Sequence, residues 1–303
     1  MSAPSKKQLH QRTHNYEPLS PLSFIHRTAS IYPDMVSIIH GEQQFTWTQT
    51  YDRCRRLASA LVSHGIRHGD TVAAICPNTP AIYEASFGVA MMGGVLNAIN
   101  TRLDADTIGF ILRHGEAKAL IIDSEFANLV DKAVAKQSLS LLLIVDDDLG
   151  LEGYKGDITY EEFLSKGDPK FAWSGPTDEW QAIALNYTSG TTGDPKGVVY
   201  HHRGAYLNAL SNALGWEMKA HPVYLWTLPM FHCNGWCYPW TVAALGGTNI
   251  CLRKVEAKSI YDSIANHSVT HFCGAPIVLS MILDASVAEK RQFEHQVNVM
   301  TAA

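Results

Sequence analysis

Over most of this chain, short apolar runs rich in β-forming residues alternate with longer stretches in which the apolar residues have helical spacing. The alternation begins near residue 46 and persists almost to the end. It is typical of α/β layering, in which helices cover a mainly parallel sheet. The pattern therefore predicts an α/β fold.

The first half is predicted to contain a hairpin at residues 36–47 and then a series of strands and helices. Strands are expected at 71–76, 118–123 and 141–147, and helices at 48–65, 79–92, 104–113 and 126–135. Asp104 can cap one of these helices, and Gly65 and Gly115 can end two of them. Residues 146–178 are rich in Asp, Gly, Lys and Pro, and are expected to form a surface excursion.

The second half repeats the rhythm. Strands are expected at 182–187, 197–200, 223–228, 249–252 and 270–275, and helices at 204–216, 236–245, 257–266 and 276–286. We therefore predict two α/β lobes. The first is residues 1–178, with the hairpin and the connection, and the second is residues 179–303.

Composition narrows the classes of function. A net charge of -5 and the lack of a basic stripe argue against a nucleic-acid partner. The polar N-terminus lacks the apolar core of a secretion signal, and the longest apolar stretch, residues 85–99, is shorter than the ~20 residues of a membrane span. The six scattered cysteines resemble buried thiols in a reducing compartment, so we expect a cytoplasmic protein.

The loop within "LNYTSGTTGDPKGVVYHH" (Leu185–His202) carries the strongest chemical signal. Its glycines let main-chain amides approach a ligand, its hydroxyls add donors, and its lysine adds a positive charge, a combination that suits a polyphosphate. It is not a Walker A loop, because Gly197 rather than Ser or Thr follows Lys196. The predicted phosphate-binding residues are Thr188, Ser189, Gly190, Thr191, Thr192, Gly193, Asp194, Pro195 and Lys196. A solvated loop that binds nothing is the alternative.

A second candidate site lies in "PMFHCNGWC". His232 and Trp236 are four residues apart at the start of a predicted helix, so both can line one wall of a pocket. The alternatives are a hydrogen-bonded core histidine and a tryptophan that only packs. Zinc binding by His232, Cys233 and Cys237 is disfavoured, because no second pair of ligands lies near.

Three weaker candidates remain. His201 and His202 follow the loop and could contact phosphate, or could be idle loop histidines. Gly274 begins a predicted bend between a strand and a helix, which packing alone could also explain.

The segment "YTSGTTGDPKGVVYHHRG" resembles the signature loop of the adenylate-forming acyl-CoA synthetases, also called AMP-binding ligases. Three further stretches agree with that family: "CPNTPAIYEASFGVAMMGGVLNAIN", "LPMFHCNGW" and "HFCGAPIVLSMIL". The resemblance covers the chain after about Tyr16. It is strongest to the short- and medium-chain ligases, including the 3-methylmercaptopropionyl-CoA ligases and the plant-type acyl-activating enzymes.

The resemblance implies that a small carboxylic acid reacts with ATP to give an acyl-adenylate, and that coenzyme A then displaces AMP. It assigns Thr188–Lys196 to the β and γ phosphates of ATP and Thr188 to Mg²⁺. His232 would place the carboxylate and govern the second step, Trp236 would shape the acyl wall, and Gly274 would border the acyl pocket. Transfer to a carrier protein or a luciferase-like oxidation is a less favoured interpretation.

Family members continue past the position of Ala303. The resemblance places an adenine-binding segment, a metal-binding Glu, a ribose-binding Asp and a C-terminal domain with the catalytic Lys in that continuation. We therefore expect an incomplete second lobe, no catalytic residue in this chain, and no thioester synthesis by the chain alone. A non-catalytic nucleotide-binding or interaction fragment is the alternative function. A peroxisomal location and a homodimer are left open, and the acid cannot be identified.

Overall fold

The structure is a computed structural model that describes residues 15–150, 156–188 and 194–301. The strands are β1 (Val36–His40), β2 (Gln43–Thr46), β3 (Thr71–Ile75), β4 (Val95–Ala98), β5 (Ala117–Asp123), β6 (Leu142–Asp146), β7 (Ile158–Thr159), β8 (Ala182–Thr188), β9 (Lys196–His201), β10 (Val223–Trp226), β11 (Thr248–Cys251), β12 (His271–Cys273) and β13 (Asn298–Met300). The helices are α1 (Leu22–Ile31), α2 (Trp47–Ser63), α3 (Pro80–Met91), α4 (Ala105–His114), α5 (Ala127–Gln137), α6 (Tyr160–Ser165), α7 (His202–Gly215), α8 (Cys233–Trp236), α9 (Tyr238–Ala244), α10 (Ala257–His267) and α11 (Pro276–Leu283).

The strands form two sheets. The first sheet has the order β7-β6-β5-β3-β4-β8-β9, and the second has the order β13-β12-β10-β11-β1-β2. Neighbouring strands are parallel except at one edge of each sheet, where β9 and β2 run antiparallel. The predicted α/β fold with mainly parallel sheets is confirmed.

The sheets do not divide the chain at residue 178. β8 and β9 come after that position, yet β8 pairs with β4 in the first sheet through Leu96 and Ala184. The hairpin β1–β2 comes before it, yet β1 pairs with β11 in the second sheet through Ile38 and Asn249. Sequence order gives no signal of which sheet edge a hairpin joins, so the sheets cross the predicted lobe boundary, and the division into two lobes stays a prediction.

The core lies mainly between the two sheets. One cluster of buried apolar residues includes Val72 and Leu96 of the first sheet together with Tyr224 and Trp226 of the second. Helix α3 is buried along its whole length in this layer. Smaller clusters cover the outer faces of the sheets, beneath α4 and α5 on one side and α10 and α11 on the other.

Most predicted elements are present. Thr46 and Asp104 cap α2 and α4 through their side chains, and the apolar stretch 85–99 proves to be the end of α3 followed by β4. In the part of the chain described, no helix combines the length and apolarity that a bilayer crossing needs.

The segment 146–178 was predicted to form a surface excursion, and this is wrong in part. It contains β7 and α6, and α6 buries the side chains of Tyr160, Phe163 and Leu164. The Tyr160 hydroxyl donates a hydrogen bond of 2.8 Å to the buried Glu84 carboxylate. Arg53 pairs with the same carboxylate at 2.5 Å, so a charged cluster fixes the excursion to α2 and α3.

Candidate functional site

The glycine-rich loop connects β8 to β9 at the carboxyl edge of the first sheet. Thr188 and Lys196 face each other in the antiparallel register, so the loop closes a hairpin. Because β8 runs parallel to β4, the loop emerges at the sheet edge where open α/β folds bind ligands. The predicted phosphate contacts of Ser189, Gly190, Thr191, Thr192 and Gly193 lie outside the described residues.

A cavity of about 740 Å³ opens beside this hairpin. Both ends of the loop line it, through Thr188 and Pro195, and so does His232. The remaining lining residues are Ala98, Asn100, Leu103, Thr107, Ile111, Asn186, Tyr187, Val198, Tyr200, Phe231 and Cys233. Asp194 and Lys196 are exposed on the hairpin and are not among the lining residues. The structure therefore brings two predicted sites, the loop and His232, to one cavity.

His232 is paired with the thiol of the next residue. Its Nε2 atom lies 4.0 Å from Cys233 Sγ. This contact raises the pKa of His232, against the opposing effect of partial burial, and it lowers the pKa of Cys233. All of the other cysteines are buried, so Cys233 is the accessible thiol of the described chain.

The segment after His232, which contains the short element α8, is a left-handed turn rather than a regular helix. Cys233, Asn234, Gly235, Trp236 and Cys237 have φ values of 49°, 51°, 57°, 54° and 66°. A left-handed conformation costs an L-residue roughly 1–2 kcal/mol, so the surrounding structure must hold this turn in place. The helix predicted at 236–245 is present as α9, but it begins only at Tyr238, so His232 and Trp236 do not share one helical side. Regular helix begins only at α9.

Trp236 lies apart from the cavity lining. Its side chain is half-buried and packs against the core between the sheets. Its carbonyl accepts a hydrogen bond of 2.7 Å from Asn212. These contacts favour packing, which was the alternative for this residue.

Three buried asparagines, none of them predicted as site residues, hydrogen-bond separate segments of the chain to one another. The Asn78 amide donates to the Trp226 and Leu228 carbonyls at 2.8 and 3.1 Å, and its oxygen accepts from Met230. These bonds join the end of β3 to the end of β10.

Asn186 and Asn234 join the base of the loop to the left-handed turn, with 2.8 Å between the two amides. An amide within the apolar run "AIALNYT" was a signal in the sequence for Asn186.

His201 and His202 do not lie near the loop. β9 carries them to the opposite end of β8, where His201 pairs with Ala182 and its Nδ1 accepts from the Gly204 amide at the start of α7. His202 is buried, with Nδ1 2.9 Å from Ser20 Oγ. Burial and two neighbouring histidines lower the pKa of His202 to about 4. This placement favours the alternative that neither histidine contacts phosphate.

Gly274 directly follows β12 and is buried, and its amide donates to the Met300 carbonyl at 3.0 Å. The next residue, Ala275, lines a separate cavity of about 310 Å³. Phe231 lines both cavities and thus separates them. For zinc, the described residues contain no cluster of three or more potential ligands.

Comparison with known proteins gives a consistent result. The family model described as AMP-binding enzyme matches residues 25–303. The peroxisomal acetate/butyrate–CoA ligase of Arabidopsis thaliana is 52% identical over 303 residues, which cover 95% of this chain and 53% of that protein. The acetate–CoA ligase of Humulus lupulus is 51% identical, with the same shares of each chain covered. The chain therefore spans about half the length of these relatives.

Solved structures agree in fold. The N-terminal domain of a Mycobacterium tuberculosis protein named FACL13 superposes with a TM-score of 0.81 at 24% identity, covering 93% of this chain and 69% of that one. The o-succinylbenzoate CoA synthetase of Bacillus subtilis superposes with a TM-score of 0.77 at 22% identity, covering 94% and 53%. These similarities show the fold, and the match of the family model over residues 25–303 shows that the chain belongs to the AMP-binding enzyme family.

Proposed function

We propose that the protein is an ATP-dependent acyl-CoA ligase, which converts a carboxylate, ATP and coenzyme A to acyl-CoA, AMP and diphosphate through an acyl-adenylate. One observation carries the proposal. Both ends of the glycine-rich loop and His232 line the same cavity at the carboxyl edge of the first sheet. A phosphate chain held by the loop and a carboxylate beside His232 would then lie within one enclosure, as attack on the α-phosphate requires.

For ATP, the segment from Thr188 to Lys196 would hold the β and γ phosphates. Lys196 stands opposite Thr188 in the hairpin, so its ammonium and the Thr188 hydroxyl can reach one bound group from two strands. Main-chain amides and a nearby cation are the donors that best stabilise a triphosphate as it reacts.

The site also fits Mg²⁺ in part. The Thr188 hydroxyl is an oxygen ligand at the cavity wall, and no carboxylate lines the cavity within the described ranges. Mg²⁺ in such a place takes most of its ligands from phosphate oxygens and water. When bound, the ion would neutralise the charge of the phosphates that the incoming carboxylate must approach.

For the acid, His232 is the residue that the geometry favours. The raised pKa of His232 increases its protonated fraction near neutral pH, which favours contact with a carboxylate anion. The smaller cavity beyond Phe231, which Ala275 lines, supports a role for the Gly274 region at the acyl pocket. For Trp236, we propose support of the turn rather than contact with the acyl chain.

The relatives suggest the substrate class. Their names specify acetate or butyrate, cinnamate and benzoate as the acids. We propose a small monocarboxylic acid for this protein. The same three names include a peroxisomal location, so we extend the proposal to a peroxisomal or cytoplasmic enzyme.

The test is ATP–pyrophosphate exchange by the complete gene product with acetate, butyrate, cinnamate and benzoate. We expect exchange with at least one acid. The variants Lys196→Ala and Thr188→Val should each lower kcat/KM by about 10²-fold, because each removes a donor from the phosphates. The control Lys118→Ala, which removes an exposed lysine from β5, should leave the rate unchanged.

Absence of exchange with all four acids would contradict the ligase. If ATP still bound tightly in that case, the alternative of a nucleotide-binding protein without turnover would replace it. If exchange ran normally in both loop variants, the assignment of the phosphate site would be wrong.

A further inference from the structure

The turn that presents His232 is unfavourable by itself and needs external support. Its five residues, 233–237, all have positive φ, and only one of them is glycine. Left-handed backbone over several non-glycine residues persists only where neighbouring groups determine it. The contacts that hold this turn therefore fix where His232 stands relative to the glycine-rich loop.

Two of those contacts come from one side chain on β8. The Asn186 amide nitrogen donates to the Phe231 carbonyl at 3.2 Å, and the Asn186 oxygen accepts from the Asn234 amide at 2.8 Å. Asn186 thus contacts the chain on both sides of His232. It also donates a longer bond, of 3.4 Å, to the Ala98 carbonyl on the neighbouring strand.

Asn186 is also tied to the phosphate site by the chain itself. It lies two residues before Thr188 on the same strand, and both residues line the larger cavity. A rigid strand therefore connects the start of the glycine-rich loop to the groups that hold the His232 turn. Contacts on the other side of the turn, from Asn212 to the Trp236 carbonyl, do not involve this strand.

Resting on the function proposed above, we infer that Asn186 and Asn234 are positioning residues, an amide pair that sets the distance between His232 and the phosphate loop. Neither residue acts on substrate chemically in this role. Asn234 also suits the turn because asparagine tolerates left-handed backbone better than most residues.

The choice of asparagine at both positions favours a positioning role over a role in packing alone. Both side chains are buried, and the Asn234 oxygen has no hydrogen-bond partner among the described residues. An apolar pair would fill the space without that unsatisfied acceptor. The amide pair adds direction, because hydrogen bonds constrain orientation and apolar contacts do not.

The test compares Asn186→Leu and Asn234→Gly in the complete gene product. The first keeps the branched shape and the number of side-chain heavy atoms, and the second keeps the left-handed backbone. Thr50→Val is the matched control, because it removes another buried hydrogen bond, the one between Thr50 and Ser37, far from the turn. We expect each asparagine variant to lower kcat for ATP–pyrophosphate exchange by about 10- to 100-fold, with KM for ATP nearly unchanged, and Thr50→Val to keep the parent rate.

The activity of a double variant distinguishes a positioning role of the amide pair from a general loss of stability. If the pair acts through His232, adding Asn186→Leu to His232→Ala should change kcat less than twofold. Losses that multiply in the double variant would overturn the inference.

Thiol labelling gives a readout that does not need turnover. Cys237 ends the turn and is 4% exposed, so a thiol reagent should modify it slowly in the parent protein. We expect at least about tenfold faster labelling in both asparagine variants and none of this increase in Thr50→Val. Unchanged labelling would overturn the inference whatever the activity. Faster labelling in a protein that shows no exchange with any acid would overturn the ligase proposal alone.

Discussion

Gly235 packs its α-carbon against the indole ring of Trp226. A β-carbon at this position would lie 2.6 Å from one ring carbon of Trp226, in a residue whose φ is +57°. We expect Gly235→Ala to lower the free energy of unfolding by about 2–4 kcal/mol, since it combines overpacking with left-handed strain.

Gly41→Ala is the matched control for this prediction. Gly41 has nearly the same φ, +55°, and nothing lies within 4 Å of the place that a β-carbon would occupy there. Urea denaturation should show a loss of about 1 kcal/mol, from backbone strain alone. Equal losses in the two variants would mean that the close approach to Trp226 is unimportant.

Asp146 is a buried carboxyl whose pKa should make stability depend on pH. Burial and the nearby carboxylates Asp123 and Asp148 raise its pKa to about 7, against a hydrogen bond from Thr79. The pKa of Asp146 is higher in the folded state than in the unfolded state. Its contribution to the free energy of unfolding is therefore fully present below about pH 4 and is lost as the pH rises through 7.

We therefore expect Asp146→Asn to be more stable than the parent protein at pH 8.5, by an amount on the order of 1–4 kcal/mol. The difference should shrink steadily toward pH 5, because the asparagine resembles the protonated acid. Thermal denaturation between pH 5 and 8.5 measures it. A constant difference over this range would show that Asp146 does not titrate there.

At the scale of elements, α6 depends on a buried charge. Arg53 and Tyr160 both bond to Glu84, whose side chain is 0% exposed. We expect Arg53→Met to destabilise the protein by about 3–5 kcal/mol, because it leaves a buried carboxylate without its counter-charge. Amide hydrogen exchange should quicken first in α6.

The double variant Arg53→Met with Glu84→Leu tests the cause of that loss. It removes both charges, so most of the lost stability should return. If the double variant were as unstable as the single one, the packing of the arginine stem rather than the ion pair would hold α6.

Helices and strands that carry a signal in their own residues were predictable from the sequence, and elements that depend on packing against distant residues were not. α2 and α4 have side-chain caps that mark their starts in the sequence. β4 and β13 were not predicted, because each has only a few residues and β4 follows α3 after a short turn. α1 was also missed. The helix predicted at 236–245 starts at Tyr238 instead, since residue spacing does not reveal the positive φ of the turn that precedes it.

The candidate site was likewise predictable from the sequence only in part. The glycine-rich loop and His232 were predicted from the sequence, because their residue types carry the chemistry, and both ends of the loop lie with His232 at one cavity. The amide pair Asn186 and Asn234 was not predicted, because it forms between positions 48 residues apart in the chain. Phosphate contact by His201 and His202 was left open because both follow the loop closely in sequence. In the structure β9 runs antiparallel to β8 and carries them to the opposite end of that strand.

At the scale of the molecule, Arg253 connects the two sheets. It follows β11 of the second sheet and bonds to Asp123 at the end of β5 and to Asp148 after β6, both on the side of the first sheet. The Asp123 side chain is 0% exposed. We expect Arg253→Met to cost about 3–5 kcal/mol, since Asp123 would lose its partner.

Lys136→Met is the control, because Lys136 pairs with Asp106 on the surface, where both side chains are more than half exposed. It should change the free energy of unfolding by less than about 1 kcal/mol. Urea denaturation compares the two. A similar small effect in both variants would show that the sheets are held together by apolar packing alone.

Each sheet contains a hairpin from the other half of the chain, and this matters when the gene is cut into two parts. A cut after residue 178 would leave β4 without β8 in one piece and β11 without β1 in the other. Each product would carry an open edge that the other product is shaped to fill. Such a pair is suited to reconstitution, in the manner of a split reporter, rather than to separate study as two independent proteins.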